Sequence, residues 1–280
     1  MTHVTEPKVF CIGETRINND ELHNYLKSIG AEDWDTGNNE PNLDDISEII
    51  EVNGRGCYLS FGTELNNNIT RVREGNKAYI SNIINVKHGS VLEHGFVNFQ
   101  IVDVSRVFTH ELVRHRAGTA ISQESLRFVR ANDLSYWIPK CFTSNNEHLN
   151  EVIKVLFQNQ FMDSENRYLS LLRCAAEIET GNHSLNSFDE LSFELKKKYT
   201  SAARRLLPIG IATKIGWSCN IRSLRAILEQ RTHPSSEEEI RLVFGEIGII
   251  AKERWPNLFA DYKVEVIDGY LYFSTNNMKV

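Results

Sequence analysis

Between Arg114 and Arg127 the chain reads Arg-His-Arg-Ala-Gly-Thr-Ala-Ile-Ser-Gln-Glu-Ser-Leu-Arg. Arginine forks match phosphate or carboxylate oxygens two at a time. Ala117-Gly118-Thr119-Ala120 carries little side-chain bulk, so a flat or anionic ligand can approach the backbone closely. Two more segments share this character. One runs Ala203-Arg204-Arg205-Leu206-Leu207-Pro208, then Asn220-Ile221-Arg222-Ser223-Leu224-Arg225, and closes at Arg231. The other is Lys87-His88-Gly89-Ser90-Val91-Leu92-Glu93-His94. The chemistry these residues suggest is the binding of a small polyanion. A metal reading is set aside: His110 and His115 stand five apart, about 140° around a helix, and cannot share one ion as a zinc-protease pair does. No Gly-x-Gly-x-x-Gly occurs, so a Rossmann dinucleotide site is unsupported.

The elements that must position these residues are legible from periodicity. Asp44 to Val52 (Ile46, Ile49, Ile50) and Asn76 to Val86 (Tyr79, Ile80, Ile83, Ile84) have helical spacing, with Asn53-Gly54 as a stop for the first. Val97, Phe99 and Ile101 alternate with polar residues and predict a strand. A helix is expected from Asp103 to Arg114, which puts Arg114-His115-Arg116 where helix gives way to loop. Residues 12–42, with Asn18-Asn19 and Gly37-Asn38-Asn39, read as irregular surface structure. Further helices are expected over 147–179 and 188–206, the second stopped by Pro208, and a strand over 209–217. Asn220 should cap a helix reaching Arg231. Ser236-x-x-Glu239 reads as a capping box for a helix ended by Pro256. Val264 to Ile267, Asp268-Gly269 and Tyr270 to Phe273 read as a terminal hairpin. Helices outnumber strands and interleave irregularly, which predicts an α+β single mixed domain over 1–280 with a mostly antiparallel sheet and several long helices.

Bulk properties narrow the function classes. The 280 residues are 41% hydrophobic and carry a net charge of -6. Local arginine clusters in an acidic chain suit small anionic ligands better than a nonspecific nucleic-acid coat. Five scattered cysteines (Cys11, Cys57, Cys141, Cys174, Cys219) form no Cys-x-x-Cys pair, so neither a disulfide framework nor a zinc ribbon is indicated. No signal-peptide pattern opens the chain and no apolar run approaches a membrane span of about 20 residues, so a cytoplasmic setting is expected.

The three segments together resemble the flavin-dependent thymidylate synthases. That family's Arg-His-Arg, spacer and Ser-x-Arg-aromatic signature stands here as Arg114-His115-Arg116, eight residues, then Ser125-Leu126-Arg127-Phe128. Its His-x-Thr-x-x-Glu-His segment is similar to His88 through His94. Its Arg-x-x-x-Pro, Asn-x-Arg and Arg pattern is similar to Arg204, Pro208, Asn220, Arg222 and Arg231. The motifs lie within 75–135 and 200–260. The family-like core covers about 46–135 and 200–260, while 1–45 and 140–195 look like an extension and an insertion. Departures are a spacer one residue longer than usual, Glu111 for a frequent glutamine, Ala226 for a frequent asparagine and Phe128 for a frequent tyrosine.

The resemblance implies reductive methylation of deoxyuridine monophosphate (dUMP) to dTMP. The carbon would come from 5,10-methylenetetrahydrofolate and the hydride from FAD reduced by NADPH. It implies His88, Ser90, Glu93, Arg114, His115, Arg116, Gln123, Asn220 and Arg222 on the flavin side. Glu111, Gln123, Glu124, Ser125, Arg127 and Arg204 would be on the nucleotide, with Ser125 and Arg127 at its phosphate. Arg231 would face the pyrimidine and favour its ionised form. Arg231 and Ser125 are thus the expected catalytic pair, although no base marks Ser125 as a nucleophile and phosphate binding suffices for it. The resemblance also implies a homotetramer with active sites shared between subunits, and no nucleic-acid or membrane partner.

Other readings give different roles. The Arg-His-Arg triplet could be a solvated helix end favoured by the macrodipole. Arg114, Arg116, Arg127 and Arg130 could serve a noncatalytic nucleotide- or RNA-binding protein, though the acidic total charge and lack of an aromatic-rich basic face oppose it. A relative alkylating another pyrimidine is a third possibility. Lys196-Lys197-Lys198 reads as a solvated helix face, and Cys219, Trp217 and Tyr79 as core.

Overall fold

The alternation that predicts a strand at Val97, Phe99 and Ile101 is realised, with all three side chains buried. The computed structural model describes residues 3–34, 42–277 and 280; the expected loop at Gly37-Asn38-Asn39 lies outside them. The strands are β1 (His3–Val4), β2 (Lys8–Glu14), β3 (Phe96–Ser105), β4 (Thr119–Gln123), β5 (Ser135–Tyr136), β6 (Ala212–Asn220), β7 (Lys263–Ile267) and β8 (Tyr270–Ser274). The helices are α1 (Asn19–Ser28), α2 (Asp45–Gly56), α3 (Asn76–Asn85), α4 (Arg106–Leu112), α5 (Glu147–Thr180), α6 (Leu185–Glu190), α7 (Phe193–Ala203), α8 (Ile221–Thr232) and α9 (Glu238–Arg254). A four-stranded sheet has the order β2-β3-β6-β4. β1 pairs parallel with β5, and β7 pairs antiparallel with β8 through Asp268-Gly269, both at positive φ. The class is mixed α+β with an antiparallel sheet and long helices. Among the described residues no helix is long and apolar enough to cross a membrane.

The chain divides into two compact units, each built from several stretches. The first holds 1–8, 101–114 and 121–216. Its core sets Phe161, Tyr168, Leu172 and Ala176 of α5 against Tyr136, Phe188, Ala203 and Ile211, and the Tyr136 and Phe161 rings stack 4.4 Å apart. The second holds 9–100, 115–120 and 217–280. There Trp217 stacks on Phe99 at 5.8 Å and meets Phe244 edge-on at 5.5 Å. Among the buried arginines of this unit, Arg55 and Arg225 have their guanidiniums heavily hydrogen-bonded, as burial of a charge demands. Arg55 donates to Glu51, the Ser60 carbonyl and the Arg73 carbonyl. Arg225 forks onto Asp261, with both bonds 2.8 Å, and also reaches the Val280 and Leu258 carbonyls.

Several expectations need correction. Residues 12–42 are not irregular throughout: β2 ends at Glu14, and Asn18 caps α1 by accepting the Glu21 N–H at 3.3 Å. The helix expected from Asp103 starts three residues later. Asp103 sits at φ 60° inside β3, and Ser105 caps α4 by accepting the Phe108 N–H. The helix expected over 188–206 is cut at Leu191, because Ser192 caps a new helix, α7. The strand at 209–217 is shifted to Ala212–Asn220, since Ile211 N–H closes a turn onto the Pro208 carbonyl. Glu237, not Ser236, caps α9, accepting the Glu239 and Ile240 N–H groups; Ser236 instead donates to the Gln230 carbonyl. Lys196 and Lys197 are half-buried rather than solvated: Lys196 bonds the Asp189 carbonyl, and Lys197 lies over Phe128 and Phe193.

Candidate active site

The second unit holds the His-Gly-Ser segment, the middle of the Arg-His-Arg loop and the α8 arginines. α4 ends at Leu112, and Gly118 turns the chain at φ 65° into β4. The stretch from His115 to Thr119 is clamped. Thr119 Oγ1 donates to the His115 carbonyl at 2.7 Å, Ser223 Oγ donates to the Ala117 carbonyl at 2.7 Å, and Asn220 N–H donates to the Gly118 carbonyl at 2.9 Å. Asn220 also caps α8, its side-chain oxygen accepting the Ser223 N–H at 2.8 Å. A Cβ at Gly118 would stand 2.4 Å from Asn220 Nδ2 and 2.5 Å from Ser223 Oγ. Only glycine suits both that space and that φ.

His115 is half-buried between the exposed Arg114 and Arg116. Arg231 Nε donates to His115 Nε2 at 2.7 Å. An accepting Nε2 makes the imidazole neutral, with its proton on Nδ1. Burial, and then the Arg231 charge, push the histidine down to about 4. Arg222 and Glu93 meet at 2.6 Å, both partly exposed, so the pair fixes geometry more than it adds stability. Ser90 and Glu93 lie on a 3-10 turn, Gly89–His94, that packs on α8. A Cβ at Gly89 would meet Arg222 Nε at 3.0 Å. His88 is exposed, and its ring stacks on Tyr58 at 6.5 Å.

The first unit holds the remaining residues. Gln123 Nε2 donates to Thr109 Oγ1 at 3.0 Å. Ser125 opens a tight turn, its carbonyl accepting from the Phe128 and Val129 N–H groups and its Oγ from the Arg127 N–H at 3.3 Å. Arg127 Nε donates to Ser201 Oγ at 3.2 Å, and Thr200 Oγ1 donates to the Arg127 carbonyl at 2.8 Å. Phe128 stacks on Phe193. These contacts place the Ser125–Arg127 turn on α7, whose C-cap is Arg204. Glu111 is half-buried at the end of α4. Arg130 is bonded to Asp189.

Arg106 is a candidate site residue that sequence reading missed. Its Nη2 donates to the Glu124 carbonyl at 3.1 Å, while its buried Nε has no hydrogen-bond partner. Burial, then the Arg204 charge, lower its pKa. Two guanidiniums brought together with one donor unsatisfied form a ready-made anion site. The signal was present in the sequence: Arg106 begins a helix, where the macrodipole disfavours a cation. Tyr58 was also missed; no motif includes it.

A family model described as thymidylate synthase complementing protein matches residues 42–257. The chain belongs to this family. A flavin-dependent thymidylate synthase from Corynebacterium efficiens is 30% identical over 237 residues, covering 84% of this chain and 86% of that protein. One from Mycobacterium avium is 32% identical over 223 residues, covering 79% and 82%. Among solved structures, the UMP/dUMP methylase PolB from Streptomyces cacaoi bound with 5-Br dUMP superposes with a TM-score of 0.59 at 14% identity, covering 91% and 94%. At that identity the likeness concerns the fold.

The matched span of the thymidylate synthase complementing family contains all three motif segments. The second unit's residues fit a flavin nucleotide. Gly118 lets its loop pass close against Asn220 and Ser223, Gly89 lets its turn approach Arg222, and Arg114, Arg116 and Arg222 offer guanidiniums to a pyrophosphate. The Asn220 side-chain oxygen is committed to the α8 cap. His110 and His115 are not on one helix, because α4 stops at Leu112. Among the described residues no group of three or more His, Cys, Asp or Glu is placed to hold a metal ion.

Proposed function

We propose that this chain is a flavin-dependent thymidylate synthase that converts dUMP to dTMP, with 5,10-methylenetetrahydrofolate as carbon donor and FAD, reduced by NADPH, as hydride carrier. The observation that carries the reading is the Arg231–His115 contact, which ties the last arginine of the family pattern to the middle of its first triplet. When bound, the flavin supplies the hydride chemistry. The chain supplies binding, orientation and electrostatics.

Arg106, Ser125, Arg127 and Arg204 take the nucleotide phosphate. Gln123, Glu124 and Glu111 bind the rest of the nucleotide, Gln123 also reaching the flavin. His88, Ser90, Glu93, Arg114, His115, Arg116 and Arg222 hold FAD, with Asn220 fixing the loop beneath it. Arg231 faces the pyrimidine. Uracil N3 is a weak acid, and lowering its pKa by one unit requires about 1.4 kcal/mol. A solvated guanidinium contributes only about 0–1 kcal/mol. Arg231 does better because it is half-buried and held by a neutral acceptor, so its charge is preorganised. Neutral His115 brings no opposing charge of its own.

The enzyme works as a homotetramer with active sites shared between subunits, in a reducing, cytoplasmic setting that suits its free cysteines, and 1–280 forms one catalytic domain. The arginines of the RNA-binding alternative are partly committed elsewhere, Arg130 to Asp189 and Arg127 to Ser201. The test is a flavin titration. FAD added to the apoprotein should bind with an altered visible spectrum, and dUMP should perturb that spectrum further, with UMP run alongside. A protein that binds neither FAD nor dUMP contradicts the reading.

A further inference from the structure

α5 uses one face for the first unit's core, through Phe161, Tyr168, Leu172, Ala175 and Ala176. A second apolar stripe runs along the same helix outside that core. Leu149, Leu156, Leu171 and Ile178 are 45%, 63%, 45% and 73% exposed. At 100° per residue these four, with Ile153, Gln160, Arg167 and Cys174, fall within an arc of about 60°. The stripe is about 44 Å long at 1.5 Å rise per residue. Its order is a palindrome: apolar residues at both ends and a polar band between them, where Asp163 and Arg167 pair at 3.7 Å.

We propose that this stripe is a self-association surface, on which α5 packs antiparallel against α5 of a second copy about a two-fold axis between positions 163 and 164. That operation sets Leu149 on the partner's Ile178, Ile153 on the partner's Cys174, Leu156 on the partner's Leu171 and Gln160 on the partner's Arg167. Every apolar member meets an apolar one, as an isologous contact requires. The polar band becomes two carboxylates and two guanidiniums around the axis, net neutral, with Arg167 near the partner's Asp163. Parallel pairing would instead put Asp163 on Asp163 and Arg167 on Arg167, which like charges oppose. A slip of one turn would set leucine against the charged band, so the band fixes register, as a buried polar position does in a coiled coil. An unrelated partner gives no reason for a stripe symmetric about its own midpoint. The inference is independent of the enzymatic reading, and its test does not use activity.

The test is cross-linking in the full chain. Ile153→Cys puts a thiol opposite the partner's native Cys174, within disulfide reach for packed helices. Mild oxidation should give a covalent dimer at about tenfold or more above the unsubstituted chain, with peptide mapping joining position 153 to 174. Adding Cys174→Ser should remove it. Leu156→Lys should lower the assembly mass by light scattering, and adding Leu171→Glu should restore it. The proposal is overturned if the dimer survives Cys174→Ser, if only Cys174–Cys174 links form, or if Leu156→Lys leaves the mass unchanged.

Discussion

At the scale of single residues, the account rests on how charge is held. Arg231 donates to His115, so the histidine must stay neutral for the pair to stand. Its pKa lies at about 4 against an ordinary 6.5. A depressed histidine contributes stability in full above about pH 6.5, and that contribution is lost as pH falls toward 4. Carbon-13 NMR titration of the apoprotein should show His115 titrating near 4 in the unsubstituted chain and higher in Arg231→Gln, though still below 6.5 because burial, the larger cause, remains; an unmoved value would separate the two residues. Arg106 carries the second expectation at this scale. A charge-assisted bond is worth about 1.5–3 kcal/mol, so Arg106→Gln should weaken dUMP binding by about 10- to 100-fold with FAD binding unchanged, as read by calorimetry. Arg114, Arg127 and Arg204 stood out as candidates because clustered arginines in an acidic chain suit an anion, and Ser125 because it opens the Ser-x-Arg motif. Arg106 was not, because its meaning comes from Arg204, which only folding brings near it.

At the scale of elements, caps and turns decide where the site residues fall. The α8 start was readable because Asn220 is a strong N-cap, and the hairpin because Asp268-Gly269 is a two-residue turn in which both residues adopt positive φ. β4 was not, since Thr119 to Gln123 alternates small and polar residues with little apolar signal and gains its pairing from β6. The α4 start was misplaced because Val104 suits a strand or a helix stripe equally, and Ser105 then settles the boundary. The clamp at Gly118 is the element-scale prediction. Gly118→Ala meets a positive φ and two crowding side chains, so it should cost about 1–3 kcal/mol in urea unfolding and loosen FAD together with the loop. Stability and FAD affinity equal to the parent would remove the clamp from the account.

At the scale of the whole molecule, acid stability tests how the second unit is fastened. Burial raises the Asp261 carboxyl, but the bonds and charge of Arg225, with Thr275 and Asn277, outweigh it and hold it at about 2, below an ordinary 3.8. A lowered carboxyl stabilises the fold above pH 3.8 and loses that contribution as pH falls through 2. Asp261→Asn should therefore cost on the order of 2 kcal/mol near neutrality and flatten the acid limb of a pH–stability curve. A curve parallel to the parent's would assign the acid limb elsewhere. The central claim, that guanidiniums from three stretches of the chain serve one flavin and one pyrimidine nucleotide, is tested most directly by anaerobic turnover. With FAD, NADPH, 5,10-methylenetetrahydrofolate and dUMP tritiated at C5, the protein should release tritium and form dTMP in equal amounts, and Arg231→Ala should abolish both while FAD stays bound. Bound, reduced flavin with no tritium release and no dTMP from the unsubstituted protein would contradict it.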